Sequence, residues 1–168
     1  MKRTLPMESR TRAHVVDARW SRPVEESDHT WSCPEGYVVV GREHQGGPGG
    51  GTRYRYARLV LAGRELTLRD VRWSRPFTEA GGVPHTAPDD HVLVGREHIG
   101  DESGTTRHQY ARLMAGTAAC SVTPGEWSPE LTEEWSVYRA PTDAVLLGRR
   151  CTGGEKVRSR YLPGMVEA

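Results

Sequence analysis

The chain has 168 residues, 36% of them hydrophobic and 27% charged, with a net charge of +1. That length fits one domain or a tight array of small repeats, and near-neutrality excludes the one-sided basic field that drives non-specific nucleic-acid binding. A single Phe stands against five Trp and six Tyr, so most aromatic side chains keep a polar handle suited to half-wet surfaces.

Lys occurs only at Lys2 and Lys156, and the remaining positive charge is Arg. Either a GC-rich coding bias or a demand for planar, bidentate donors produces that pattern. Cys33, Cys120 and Cys151 form no CxxC pair, which gives no zinc signature and allows one internal disulfide at most. Basic residues near Met1 are not followed by an apolar run, so neither a signal peptide nor a membrane span is expected. A trimmed leader would leave a secreted or cell-surface role compatible with this start.

In chain order, the first predicted element is a short strand at Trp20-Ser21-Arg22-Pro23, stopped by proline or placed on a sheet edge. An irregular loop with Glu26 and Trp31 follows. Val38-Val39-Val40-Gly41-Arg42-Glu43-His44 is a second strand, and residues 45 to 51 form a hairpin loop. Thr52-Arg53-Tyr54-Arg55-Tyr56-Ala57-Arg58-Leu59 alternates at period two as a third strand. Leu66-Thr67-Leu68-Arg69-Asp70-Val71 is a fourth, leading into Trp73.

The order then repeats twice. Trp20, Trp73 and Trp127 are 53 and 54 residues apart, and Gly41, Gly95 and Gly148 are 54 and 53 apart. Tyr56, Tyr110 and Tyr161 are spaced by 54 and 51, and Glu26, Glu79 and Glu133 each lie six residues after their Trp. Such concerted spacing marks a repeat architecture. The expected organisation is one domain over residues 1–168 with repeats at 14–66, 67–119 and 120–166. One unit cannot bury both faces of a small sheet, but three around an axis share a core. The expected fold is therefore all-β and pseudo-threefold, β-prism-like by preference, with a β-trefoil as the alternative.

Arg42, Arg96 and Arg149 recur once per unit. They form either a ring of ligand donors or partners for Glu26, Glu79 and Glu133 that tie each loop to its sheet. His44 and His98 lie two residues beyond their Arg, but Cys151 takes the third place, which argues against a symmetric metal site. The turn Asp101-Glu102-Ser103-Gly104 carries carboxylates suited to a hard cation, but the first unit has only Gly and Pro there. No metal or cofactor is expected. Trp20, Trp73 and Trp127 are expected as core plugs near the axis. Trp31, His85, Tyr138 and Trp135 differ between units and fall in loops, as a variable binding surface would; Tyr54, His108 and Ser159 vary similarly in the third strand.

A sugar offers an apolar C–H face and a rim of hydroxyls, which an aromatic plate with planar donors and acceptors recognises. Glu, Arg and Trp, Tyr or His in these loops meet that requirement. Nucleic acid would use similar pieces but needs an excess of positive charge that interspersed Asp and Glu remove. No Ser/His/Asp or Cys/His signature, phosphate-binding glycine loop or HExxH is present, so no catalysis is expected.

The run Cys33-Pro34-Glu35-Gly36-Tyr37-Val38-Val39-Val40-Gly41 followed by Thr52-Arg53-Tyr54-Arg55-Tyr56 resembles the repeat of dermatopontin-like proteins, extracellular β proteins and invertebrate agglutinins. The likeness covers about 25 residues per unit, and the paired cysteines of that family are absent. Three tandem β units with Trp and polar loops are also similar to microbial lectins of prism and trefoil type. These resemblances imply carbohydrate binding at up to three related sites. The expected partner is a glycan or cell-surface polysaccharide. The alternative is a protein partner, with the chain as a targeting subunit of a secreted assembly.

Overall fold

A computed structural model describes residues 11–47, 49–101, 103–153 and 157–168. The protein is all-β, and no helix occurs among the described residues. We number the strands that build the sheets β1 His14–Trp20, β2 Asp28–Ser32, β3 Val38–Gln45, β4 Gly51–Leu61, β5 Thr67–Trp73, β6 His85–Thr86, β7 His91–Ile99, β8 Thr105–Ala115, β9 Ser121–Pro124, β10 Trp135–Arg139, β11 Ala144–Thr152 and β12 Arg158–Glu167. They form three antiparallel sheets in the orders β1-β4-β3-β10, β5-β8-β7-β2 and β9-β12-β11-β6. Three separate sheets correspond to the prism arrangement rather than to a barrel capped by hairpins.

Each sheet takes three strands from one stretch of chain and its fourth from another. Strand β2 pairs with β7 of the second sheet, β6 with β11 of the third, and β10 returns to β3 of the first. The segments expected as irregular loops are thus strands exchanged cyclically between neighbours. They escape a periodicity reading because they are short: β2 buries only His29 fully and Trp31 in part, and β6 has two residues. The Trp-containing segment and the Leu66–Val71 run, expected as two elements, are one strand, β5. Asp17 and Asp70 interrupt β1 and β5 at the same place, each at φ 55° beside a register shift, as in a β-bulge.

The inner strands β3, β7 and β11 pack against one another pairwise around the axis. Each carries a bulge at Val40, Val94 or Leu147, where the register with the partner strand slips by one residue. The bulge lets consecutive apolar residues all point inward, which explains an unbroken apolar run in an antiparallel sheet. Val38, Val40, Val92, Val94, Val145 and Leu147 join Leu59, Leu113 and Val166 in the main core. Val39, Leu93 and Leu146 form a second, axial cluster with Tyr110, Tyr138 and Tyr161. The glycine after each run is required by the exchanged strand. A Cβ on Gly95 would stand 2.7 Å from the Trp31 carbonyl, and one on Gly148 2.5 Å from the His85 carbonyl.

Trp20, Trp73 and Trp127 are not axial plugs. All three are half-buried; Arg53 and Arg139 lie over Trp20 at 5.5 and 5.8 Å and Arg107 over Trp73 at 5.2 Å, while Trp127 packs against the main core. Charged side chains occupy the axis instead. Asp90 and Asp143 accept hydrogen bonds from the Val122 and Val15 amides, tying each turn to the next sheet. Thr11 and Ala168 exchange backbone bonds that join the two ends of the described chain.

Candidate functional site

Arg42, Arg96 and Arg149 leave the inner strands just past the glycine and point to the axis. There they meet Glu26, Glu79 and Glu133 in a closed, alternating ring. Arg42 holds Glu26 at 3.0 Å and Glu133 at 2.8 Å, Arg96 holds Glu26 at 2.8 Å and Glu79 at 2.5 Å, and Arg149 holds Glu79 at 2.6 Å and Glu133 at 2.7 Å. Every Arg bridges two carboxylates and every carboxylate bridges two Arg. The Arg side chains are at most 6% exposed and the Glu side chains at most 14%. Charge cancels within the ring. Burial alone would raise the carboxyl of Glu133, but Arg149 and Arg42 overcome it and hold the group at about 2. The same contest, won by the flanking arginines, keeps Glu26 and Glu79 well below the usual carboxylate range.

The rest of the predicted set surrounds this ring. On one side, His44 Nδ1 lies 2.8 Å from Thr52, which donates to Glu26, and His98 Nδ1 lies 2.6 Å from Thr106, which donates to Glu79. Cys151 and Ser159 hold the corresponding places, with Ser159 donating to Glu133 at 2.6 Å. On the other side, Arg96 donates to the Tyr54 hydroxyl and Arg42 to the Tyr161 hydroxyl, both at 3.0 Å. His108 holds the third place, since Tyr54, His108 and Tyr161 sit opposite Arg42, Arg96 and Arg149 in the register. Tyr161 is therefore the counterpart of Tyr54, not of Tyr56, and Ser159 that of Thr52. Burial pushes His108 down to about 3, and it stays neutral against the arginines.

The variable aromatics close the ring laterally. Trp31 stacks on Tyr54 at 4.6 Å, Tyr138 on Tyr161 at 4.5 Å, and His85 on Phe77 at 3.6 Å. These three do not make an exposed binding surface: Tyr138 is buried and Trp31 and His85 are half-buried, and of the four variable aromatics only Trp135 is exposed. All thirteen predicted residues, Glu26, Trp31, Arg42, His44, Tyr54, Glu79, His85, Arg96, His98, His108, Glu133, Tyr138 and Arg149, thus lie at or against the ring. The ring carboxylates are spent on the arginines, whereas the Nε atoms of Arg42, Arg96 and Arg149, His108 Nδ1 and the Tyr138 hydroxyl are buried without a hydrogen-bond partner. Above the ring, a cavity of about 70 Å³ opens between the hairpin turns, lined by Glu79, His98, Asp101, Glu134 and Cys151. It holds on the order of a few waters and no pyranose. The Asp101 carboxylate is taken by the Ser103 amide and hydroxyl, and Glu102 of the same turn lies outside the described residues. No group of three His, Cys, Asp or Glu gathers as a metal site among the described residues.

A different surface has the chemistry for a larger ligand. On the outer face of the first sheet, Trp20, Arg22, Pro23, Glu43, Gln45, Arg53 and Trp135 line a groove of about 650 Å³, a size typical of ligand clefts of roughly 300–1,000 Å³. Trp135 lies opposite Gln45 and is 71% exposed, with Val137 beside it at 52%. Arg53 pairs with Glu43 at 3.4 Å. The groove combines residues from distant parts of the chain because β10 crosses into the first sheet. Only the strand exchange brings Trp135 near Trp20, so sequence spacing carries no signal for the groove. The chain matches no known protein family, characterised protein or solved structure.

Proposed function

We propose that this chain is a non-catalytic, lectin-like carbohydrate-binding module whose principal site is the groove on the outer face of the first sheet. What carries the reading is the exposed Trp135 indole beside the half-buried Trp20, with Arg22, Arg53, Glu43 and Gln45 between them. An indole offers an apolar plate to the C–H face of a sugar, and the flanking guanidinium, carboxylate and amide groups match its hydroxyl rim. The similarity of the repeat to dermatopontin-like agglutinins points the same way. The buried ring then serves as the scaffold that fixes the three sheets, and the site is carried on rigid strands. A panel of immobilised glycans probed with the wild-type chain and with Trp135→Ala tests the reading: binding that Trp135→Ala abolishes supports it, and no binding to any glycan refutes it.

A second reading, a protein-interaction module, is favoured by one observation. Trp135 and Val137 form an exposed apolar strip on a sheet face, and such strips also anchor protein partners. A stoichiometric protein partner that is retained in excess sugar and lost in Trp135→Ala decides for this reading.

A further inference from the structure

The three sheets share a backbone plan but differ in charge on their outer faces. In the first, Arg139 and Arg55 lie on either side of Gly41, and Arg22 lines the adjoining groove. Arg53 is matched by Glu43, whereas Arg22, Arg55 and Arg139 make no ion pair with any described carboxylate. In the second sheet the corresponding places hold Ser32 and Gln109, which hydrogen-bond each other at 2.8 Å, and Arg107 is matched by Glu97. In the third, Arg158 and Arg160 are both matched by Glu130, and the exchanged strand is too short to cover the upper part of the face. Guanidinium groups without a carboxylate partner, one of them (Arg139) stacked on Trp20, therefore stand beside an exposed indole on one face only of these three.

We infer that the groove of the first sheet selects an anionic glycan, one whose sugar carries a carboxylate or sulfate, and that the chain has one such site rather than three. The inference rests on the carbohydrate-binding reading and names its ligand class. Arg139 and Arg55 are two strand spacings apart, roughly 9–10 Å between Cα atoms, and no side chain rises between them at Gly41, where the flanking strands close in on the backbone. A carboxylate or sulfate is held bidentately by a guanidinium fork while Trp135 takes the face of a sugar ring. Because Arg22 and Arg139 are exposed and Arg55 is half-buried, the selectivity weakens as salt rises.

The test is calorimetric titration of the full chain at low salt with polygalacturonate, chondroitin sulfate, dextran and an oligo-dT strand. It uses wild type, Trp135→Ala and the double variant Arg55→Gln/Arg139→Gln, each checked for an unchanged thermal midpoint. The expected result is binding to polygalacturonate, chondroitin sulfate or both, at least tenfold weaker in the arginine variant, lost in Trp135→Ala and weakened by added salt. Polygalacturonate alone marks carboxylate as the recognised group, and chondroitin sulfate alone marks sulfate. Neutral glycans bound as well as the acidic ones, with the arginine variant unaffected, overturn the anionic selectivity but leave carbohydrate binding standing. Binding to oligo-dT alone, or to no polymer in this or a broader glycan panel, overturns both.

Discussion

Arg96→Met keeps most of the aliphatic stem and removes the charged head at the centre of the protein. Glu26 loses a partner at 2.8 Å, Glu79 loses one at 2.5 Å, and the Tyr54 hydroxyl loses its 3.0 Å donor. Both carboxylates remain enclosed with one arginine each. Removing one member of a buried ion pair costs about 3–5 kcal/mol, because the charge left behind has given up its water. For a domain of this size about 1 kcal/mol moves Tm by about 2–4 °C, so a fall of about 6–20 °C is expected. Thermal and urea unfolding followed by circular dichroism measure it. Arg53→Met is the control. Its pair with Glu43 at 3.4 Å is 39% exposed on the Arg side and is worth about 0.2–1 kcal/mol. If Arg96→Met and Arg53→Met lose the same stability, the ring is not the structural centre assigned to it.

Acid should destabilise the fold in two stages. His108 and His29, pushed down by burial to about 3 and about 4, are protonated first in the unfolded chain, so stability falls with pH from about 6.5. Glu133, held at about 2, and Glu26 and Glu79, held well below the usual carboxylate range by the flanking arginines, add a second loss as pH drops below about 4.3. Urea midpoints across the pH range check this, and a midpoint that does not change between neutral pH and about 4 contradicts it. The double variant His108→Tyr with Phe77→Leu should supply the missing third Tyr–Arg bond, to Arg149, and gain about 1 kcal/mol. His108→Tyr alone should lose about 1–3 kcal/mol by overpacking against Phe77, whose ring is 5.0 Å from His108. Gly95→Ala should cost about 1–3 kcal/mol as its Cβ meets the Trp31 carbonyl and displaces β2, and hydrogen exchange should show the loss of protection first in Asp28–Ser32.

The repeat spacing made the threefold plan legible, because each unit must place Gly, Arg and Glu at the same points of the same ring. Pairing of Arg42, Arg96 and Arg149 with Glu26, Glu79 and Glu133 was one of two readings open in the sequence, since three matched charges per chain suit a closed network as well as a ligand. The exchange of β2, β6 and β10 was hidden: apolar periodicity reports that a residue is buried, not which sheet it pairs with. Matching Tyr161 to Tyr56 by identity set the third strand off by two residues, while spacing from the glycine gives Tyr54, His108 and Tyr161, each 13 residues on. Large apolar side chains usually fill such centres, which is why the sequence points to the Trp residues for the axis. Here a salt-bridged ring fills it, which leaves Trp20 at the rim and available to a surface groove.

The most direct measurement is a crystal structure of the chain soaked with whichever acidic oligosaccharide the titration selects. One sugar per chain is expected, with a ring against Trp135 and its carboxylate or sulfate within hydrogen-bond distance of Arg22, Arg55 or Arg139. A sugar seated over the axial turns, or equally on all three sheet faces, would contradict it.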